Sequence, residues 1–425
     1  MFRCWIIRLS VVVVLLLYAV GGAFADKLLI FMDQDQADHL KAYGIAFFAL
    51  TKGVSVDWLL NYRGGSFMMD YIETLAQEAR LRGVGGVRIR ESEAAQILAE
   101  MADKNMDAVR LEKAPKIAVY TPPDKRPWDD AVTLAMAYAE IPYDTVWDEE
   151  VLTGKLSNYD WIHLHHEDFT GQYGKFYASY GQQLWYRQQQ AQYEAAAHKL
   201  GFRKVSEEKR AVAQAIQAYM TNGGFMFAMC SATDSFDLAL ASEGTDIVDS
   251  VYDGDPPDPG AQERLDFSKC LAFEGFKLVM DPLEYEFSDI DVSPRAAGQV
   301  QTPETDFFSL FEFSAKYDPV PTMLTQDHTA LVKGFLGQTT AFSRRVLKPA
   351  VTVLGEVEGT DEVKYIHGNI GKGTFTFYGG HDPEDYQHLV GDPPTDLVLH
   401  KNSPGYRLIL NNVLFPAAKK QKRKT

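Results

Sequence analysis

The sequence predicts an α/β protein: a parallel sheet with flanking helices, preceded by a βα segment and interrupted by an irregular β-rich insertion. Three observations carry this expectation. Short apolar runs such as Phe225–Met229 have the length and composition of strands buried on both faces. Stretches with helical spacing alternate with them, which is the pattern of βαβ units. Several of the runs end in polar, chemistry-bearing residues, as strands do at the carboxyl edge of a parallel sheet, where ligands bind in such folds.

Residues 1–25 have the makeup of a signal peptide. Arg3 and Arg8 form a charged start, Val11 to Val20 an apolar centre, and Ala23-Phe24-Ala25 a small-x-small cleavage site, with the cut expected after Ala25. The apolar centre is shorter than a membrane span and no later stretch reaches that length, so the mature chain is expected to hold no integral membrane segment. Export to a periplasmic or extracellular space follows. Loss of the leader takes the formal charge from −16 to about −18, a balance that argues against nucleic acid or anionic lipid as partner. The exception is residues 417–425, a basic tail read as a solvated, disordered end.

From residue 26 to 112 the sequence reads as a β-α-β-α-β-α segment and is expected to form a parallel arrangement. Lys27 to Met32 is a strand, Ala37 to Thr51 a helix closed by Gly53, and Val54 to Leu60 a strand. Asn61-Tyr62-Arg63-Gly64-Gly65-Ser66 follows as a loop whose glycines let backbone amides approach a ligand. Arg63 in it suits a carboxylate or phosphate, the alternative being an ordinary turn with a solvated side chain. Val84 to Ile89 and Ser92 to Met101 add one more strand and helix.

Pro115 restarts the pattern, and residues 113–416 are read as the main domain. Strands are expected at Lys116 to Tyr120, Tyr143 to Trp147, Tyr159 to Leu164 and Phe225 to Met229, and helices at Trp128 to Ala139 and Val205 to Met220. The Tyr- and Gln-rich stretch Gly171 to Gly201 is expected to be helical and to flank the site. Residues 243–345 lose clear periodicity and are read as the insertion, with an acidic segment Glu284 to Asp291 expected to be exposed or ion-binding. Strands resume at Val351 to Glu358, Val363 to His367 and Thr374 to Tyr378, and Ser403-Pro404 caps a last helix to Leu414.

Candidate chemistry collects at three of the strand ends. Cys230 follows Phe225–Met229 and precedes Ser231, Thr233, Asp234 and Ser235, all residues that start helices. A thiol at the positive end of a helix dipole is favoured as thiolate, the nucleophilic form. The plainer reading is a small buried Cys under a helix. A 230–270 disulfide, between the two cysteines left after leader removal, would abolish the nucleophile. His381 and Glu384 follow Thr374 to Tyr378, and a Cys, a His and a carboxylate in this order suit a nucleophile, a base and an orienter. His163, His165, His166, Glu167 and Asp168 form the third cluster. His163 and His165 share one face of their strand, and His-x-His is a spacing used by metal sites. A divalent metal held by His163 and His165, a metal-free wall of a polar pocket, and structural hydrogen bonding are the three readings. Ser231, Asp234 and Arg63 join the cluster as substrate-binding candidates, and no cofactor other than that metal is expected.

Residues 116 to 415 resemble the class I glutamine amidotransferase-like fold, including its ThuA-like (trehalose-utilisation) branch. Cys230 sits where that family carries its elbow nucleophile, and Gly371 to Glu384 resembles its closing strand and His-Pro-Glu, here with Asp382 inserted. The family's Gly-x-Cys-x-Gly is Ala228-Met229-Cys230-Ser231-Ala232 in this chain. The resemblance implies a flavodoxin-like parallel core. From Tyr43 onward the chain is also similar to exported proteins that carry the label asparagine synthetase B, through Asp57 to Phe67, His163 to Lys175 and Met226 to Asp237. The labelled activity needs a Cys directly after the initiator Met, where this chain has Phe2. It also needs a glycine-bearing pyrophosphate loop, and Ser231-Ala232-Thr233-Asp234-Ser235 has no glycine. Two functions are therefore expected: an exported Cys-dependent hydrolase of an amide or carbohydrate-linked substrate, or a non-catalytic protein on the same fold that binds a carbohydrate or another small ligand.

Overall fold

The computed structural model describes residues 26–123, 130–292, 302–312, 314–318, 320 and 329–418. Residues 1–25, read above as a leader, and residues 419–425 of the basic tail lie outside them. Residues 417 and 418 are described, and Ala418 bridges back to Leu111.

The first sheet comprises β1 (Lys27–Ile30), β2 (Val56–Leu60), β3 (Ser66–Asp70), β4 (Val87–Ile89) and β5 (Asp107–Leu111), in the order β4-β1-β3-β2-β5. Every pairing in it is antiparallel. This corrects the parallel arrangement expected for residues 26–112. The cause is the Asn61–Gly65 loop, in which Asn61, Arg63, Gly64 and Gly65 all take positive φ, between 47° and 89°. So tight a left-handed run reverses the chain and makes β2 and β3 a hairpin. Helices α1 (His39–Thr51), α2 (Glu73–Leu81) and α3 (Glu91–Ala102) fill the connections.

The second sheet has ten strands: β6 (Ile117–Tyr120), β7 (Asp144–Val146), β8 (Trp161–Leu164), β9 (Phe225–Met229), β10 (Phe307–Leu310), β11 (Leu331–Lys333), β12 (Phe342–Ser343), β13 (Thr352–Glu356), β14 (Glu362–Ile370) and β15 (Gly373–Tyr378). Its order is β11-β10-β13-β14-β15-β9-β8-β6-β7, with β12 also on β14. The half from β15 to β7 is parallel, and the remaining pairings are antiparallel. The molecule is thus a mixed α/β protein without a closed barrel. Within the insertion, the short strands β10, β11 and β12 join this sheet, beside short helical turns at Ser250–Asp253, Gln262–Arg264 and Phe267–Lys269.

Alternation along the central strands fixes the layers. Ile117, Val119, Trp161, Phe227 and Met229 face one side, where α1, α4 (Ala131–Ala139) and α8 (Pro404–Leu414) pack between the two sheets. Leu28, Ile30, Trp58 and Phe67 of the first sheet close that core from beyond. Ala118, Tyr120, Ile162, Leu164, Met226 and Ala228 face the other side, under α6 (Val205–Thr221) and α7 (Asp234–Ala241); α5 (Leu184–Lys199) lies outside α6. Gly44 lets α1 approach α4, since a Cβ there would lie 1.9 Å from the Ala139 carbonyl oxygen. The buried Arg407 of α8 donates to the Met32 carbonyl at 3.1 Å and the Gly64 carbonyl at 2.6 Å, tying the last helix to the first sheet.

Candidate active site

Because β8, β9 and β15 run parallel and adjacent, their carboxyl ends come together. His165 follows β8, Cys230 follows β9 and His381 follows β15. Backbone bonds lock the three ends: the Cys230 N–H donates to Gly380 O at 3.1 Å, and the Ala232 N–H to His165 O at 3.0 Å. Cys230 takes φ 51°, in the left-handed region. A non-glycine residue there costs on the order of 1–2 kcal/mol and persists only where its surroundings over-determine it, a condition concentrated at functional sites.

Cys230, His166, His381 and Gln338 line one cavity of about 200 Å³, with Phe176, Tyr180 and Tyr285 on its aromatic side. Burial pushes the Cys230 thiol up to about 11, while the backbone N–H groups of Gln338, Ser231 and Thr339 oppose that by favouring the ionised sulfur. The thiol is therefore protonated at neutral pH, against the thiolate expected from the helix dipole. Helix α7 begins only at Asp234, and a 3₁₀ turn over Cys230–Ala232 intervenes. Desolvation outweighs the N–H groups that remain.

His381 Nδ1 and His165 Nε2 are 3.1 Å apart with their rings at 88°. Burial and the neighbouring histidines hold His381 well below the usual imidazole range, so it is neutral at pH 7 and a weaker base than a free imidazole. His165 Nδ1 lies 3.7 Å from Asp130 Oδ1. Asp130 also takes His163 Nε2 at 3.1 Å, and His163 Nδ1 faces the Phe227 carbonyl at 3.1 Å. Burial resists charge on Asp130, but the two histidines prevail and keep it well below the usual carboxylate range. The edge thus carries a continuous polar chain, His381–His165–Asp130–His163. Two groups drawing on this chain place three ligand atoms within 4.8 Å of one another, His165–His166–His381 and Asp130–His163–His165.

Not every candidate from the sequence arrives here. Glu384 does not orient His381; its carboxylate pairs with His400 Nδ1 at 3.0 Å. Asp382 explains this. It accepts the N–H groups of Glu384 and Asp385 and the Tyr406 hydroxyl, bending the loop away from His381. Arg63 lies in the first sheet's loop, stacked on Phe31 and paired with Asp33 and Asp35. Glu167 accepts from the Tyr193 hydroxyl at 3.0 Å, and Asp168 organises the 170–174 turn through Thr170 and Gly174. His163 lies between Trp161 and Phe227 in the sheet. Cys230 and Cys270 are free, and Cys270 donates to the Asp237 carbonyl at 3.4 Å in the core. Ser231 is buried beneath the thiol. Asp234 accepts from Thr339 Oγ1 at 2.7 Å, which fixes the loop that frames Cys230. Asp291, in the segment expected to be exposed or ion-binding, is buried and accepts from the Thr340 N–H at 3.2 Å.

Sequence reasoning missed Asp130, Gln338, Thr339, Tyr285 and His388. Asp130 had a signal: it precedes an apolar helix and caps it, accepting from Val132 and Thr133 N–H groups. Gln338 and Thr339 lie in the aperiodic insertion, where the only cue is Gly337. A Cβ there would lie 2.7 Å from the His381 backbone nitrogen.

The chain matches no known protein family and no curated protein. Among solved structures, the cytoplasmic protein STM3548 from Salmonella typhimurium aligns with 72% of this chain and 100% of its own, at 10% identity and a TM-score of 0.34. Cytoplasmic protein STM1381 from Salmonella typhimurium LT2 aligns over the same shares at 12% identity and a TM-score of 0.35. Gan42B, a GH42 beta-galactosidase from G. stearothermophilus, aligns with 64% of this chain at 13% identity and a TM-score of 0.27, and only 28% of its own length is spanned. At these scores the likenesses define neither a family nor an activity.

Proposed function

We propose that the protein is a thiol-dependent hydrolase of a small acyl substrate, an amide or a carbohydrate-linked ester, acting outside the cytoplasm after loss of its leader. The class I amidotransferase-like, ThuA-like reading of the fold accompanies this proposal. One observation carries it: Cys230 is held in a strained left-handed conformation at a strand end, on the same cavity wall as a neutral histidine. In the reaction His381 takes the thiol proton as sulfur attacks the acyl carbon. The N–H groups of Gln338, Ser231 and Thr339 offset the charge that develops on sulfur. The protonated His381 then returns the proton to the leaving group, and water, activated by the same ring, releases the acid from the thioester. His165 and Asp130 hold His381 in place, the part the sequence assigned to Glu384. The aromatic wall of Phe176, Tyr180 and Tyr285 suits the flat or apolar face of a substrate.

The test uses p-nitrophenyl acetate with the purified chain kept in a chelator. The expected result is a burst of p-nitrophenol and one acetyl group on Cys230 by peptide mass. Cys230→Ala abolishes the burst, and His381→Asn slows it at least 100-fold. Acetylation elsewhere only, or none, overturns the reading and leaves the cavity as a ligand-binding site.

A further inference from the structure

Four of the chain's ten histidines gather at the carboxyl edge of the second sheet: His165, His166, His381 and His388. Three of them present ring nitrogens within 4.8 Å of one another, His165, His166 and His381. His165 Nε2 and His381 Nδ1 are 3.1 Å apart. Tetrahedral zinc, with nitrogen at about 2.0–2.1 Å, sets neighbouring ligand atoms roughly 3.3 Å apart. That pair already has the spacing, and the half-buried His166 needs only a side-chain adjustment to join it. An outer shell is also in place. Asp130 Oδ1 lies 3.7 Å from the far nitrogen of His165, and a carboxylate behind a ligating imidazole is the usual second support of a histidine metal site. In front, His166 and His381 both line the cavity, which gives an ion an entry path and an outward-facing position.

We propose that His165, His166 and His381 form a three-histidine site for a divalent transition metal ion, open to the cavity that holds Cys230. The all-nitrogen donor set selects zinc, copper, nickel or cobalt over magnesium and calcium, which take oxygen. Two other three-residue groups touch this edge and are weaker hosts: in Asp130–His163–His165, His163 is committed on both nitrogens, to Phe227 and Asp130, and Asp385–His388–Asp392 offers a single imidazole. A metal on His381 Nδ1 leaves the proton on Nε2, and that ring can no longer take one from the thiol, so metal binding and thiol chemistry exclude each other. That consequence, unlike the site itself, rests on the hydrolase reading.

The experiment is titration of the chelator-stripped chain with Zn²⁺ by calorimetry, and with Co²⁺ by visible absorption. One equivalent of Zn²⁺ and the strong visible bands of four-coordinate Co²⁺ are expected. His166→Ala and His381→Ala weaken binding at least tenfold, and Asp130→Asn weakens it ten- to hundred-fold. The absence of stoichiometric Zn²⁺ binding, or binding unchanged by His166→Ala, overturns the proposal. The Co²⁺ spectrum of the unaltered chain decides the matter should a variant fail to fold. Acetylation of Cys230 with and without Zn²⁺ separates the two readings. Zn²⁺ binding without any acetylation keeps the site and removes the hydrolase, and acetylation in a chain that takes no Zn²⁺ does the reverse.

Discussion

At the scale of the residue, Cys230 is held between opposing influences. Burial raises its thiol to about 11, and three backbone N–H groups resist that rise. An acid whose value is raised stays protonated over a longer pH range. Alkylation of Cys230 by iodoacetamide is therefore expected to be slow at pH 7 and to climb through pH 10, a unit or more beyond a free thiol's ~8.5. Its rate should still exceed that of Cys270, which is pushed up further and lines no described part of the cavity. Rapid labelling of Cys230 at pH 6 would show a resting thiolate and refute this account of the site. Cys230 and His381 were legible as candidates because each directly follows a readable strand. The partner of His381 was not legible, since His165 and Asp130 meet it only through the folded sheet edge. Glu384 was the natural choice in the sequence, and the bonds that Asp382 makes in this loop turn it to His400 instead.

At the scale of the element, the central strands were readable because burial on both faces leaves continuous apolar runs, as in Phe225–Met229 and Ile117–Tyr120. The first sheet was misread because α1 and α2 join strands that run the same way but are not neighbours: the hairpin over Asn61–Gly65 sets β3 between β1 and β2, and β1 lies between β3 and β4. β10 to β12 are two to four residues long, too short for any period to show. Packing of the helix layer depends on backbone proximity at one point. Gly44→Ala would place a Cβ 1.9 Å from Ala139 O and 2.9 Å from Ala139 C, both rigid backbone atoms. α1 and α4 would have to separate, at a cost of about 1–3 kcal/mol. Urea unfolding monitored by tryptophan emission should show a lower midpoint with an unchanged slope; an unaltered midpoint would mean that the two helices are not held this closely.

At the scale of the whole molecule, buried ionisable groups set the pH dependence of stability. Burial raises Glu167 and Asp234 to about 7, and Glu208 is raised as well. In the folded chain these acids keep protons that the unfolded chain has released from about pH 4 upward, so rising pH costs stability until the folded groups ionise. His367, lowered by burial to about 3, works the other way, but its contribution is complete once pH passes the ordinary histidine value near 6.5. Between pH 6.5 and 8 the carboxyl groups act unopposed by it. Stability should fall over that interval by about 2 kcal/mol, read as a lower thermal midpoint at pH 8, and Asp234→Asn should flatten the decline. A midpoint that holds or rises would show that these carboxyl groups are ionised in the folded state.

The tie between Arg407 and the loops after β1 and β2 has a consequence for how the protein is made. The apolar face of the first sheet is synthesised well before the helix that completes its cover, Pro404–Leu414. At ribosomal speeds of about 5–20 residues per second, some 300 residues separate the two, and the delay is roughly 15–60 s. Until then Trp58 and Phe67 have only part of their shelter. For that interval the nascent chain remains a substrate for any factor that holds, moves or degrades unfinished polypeptide.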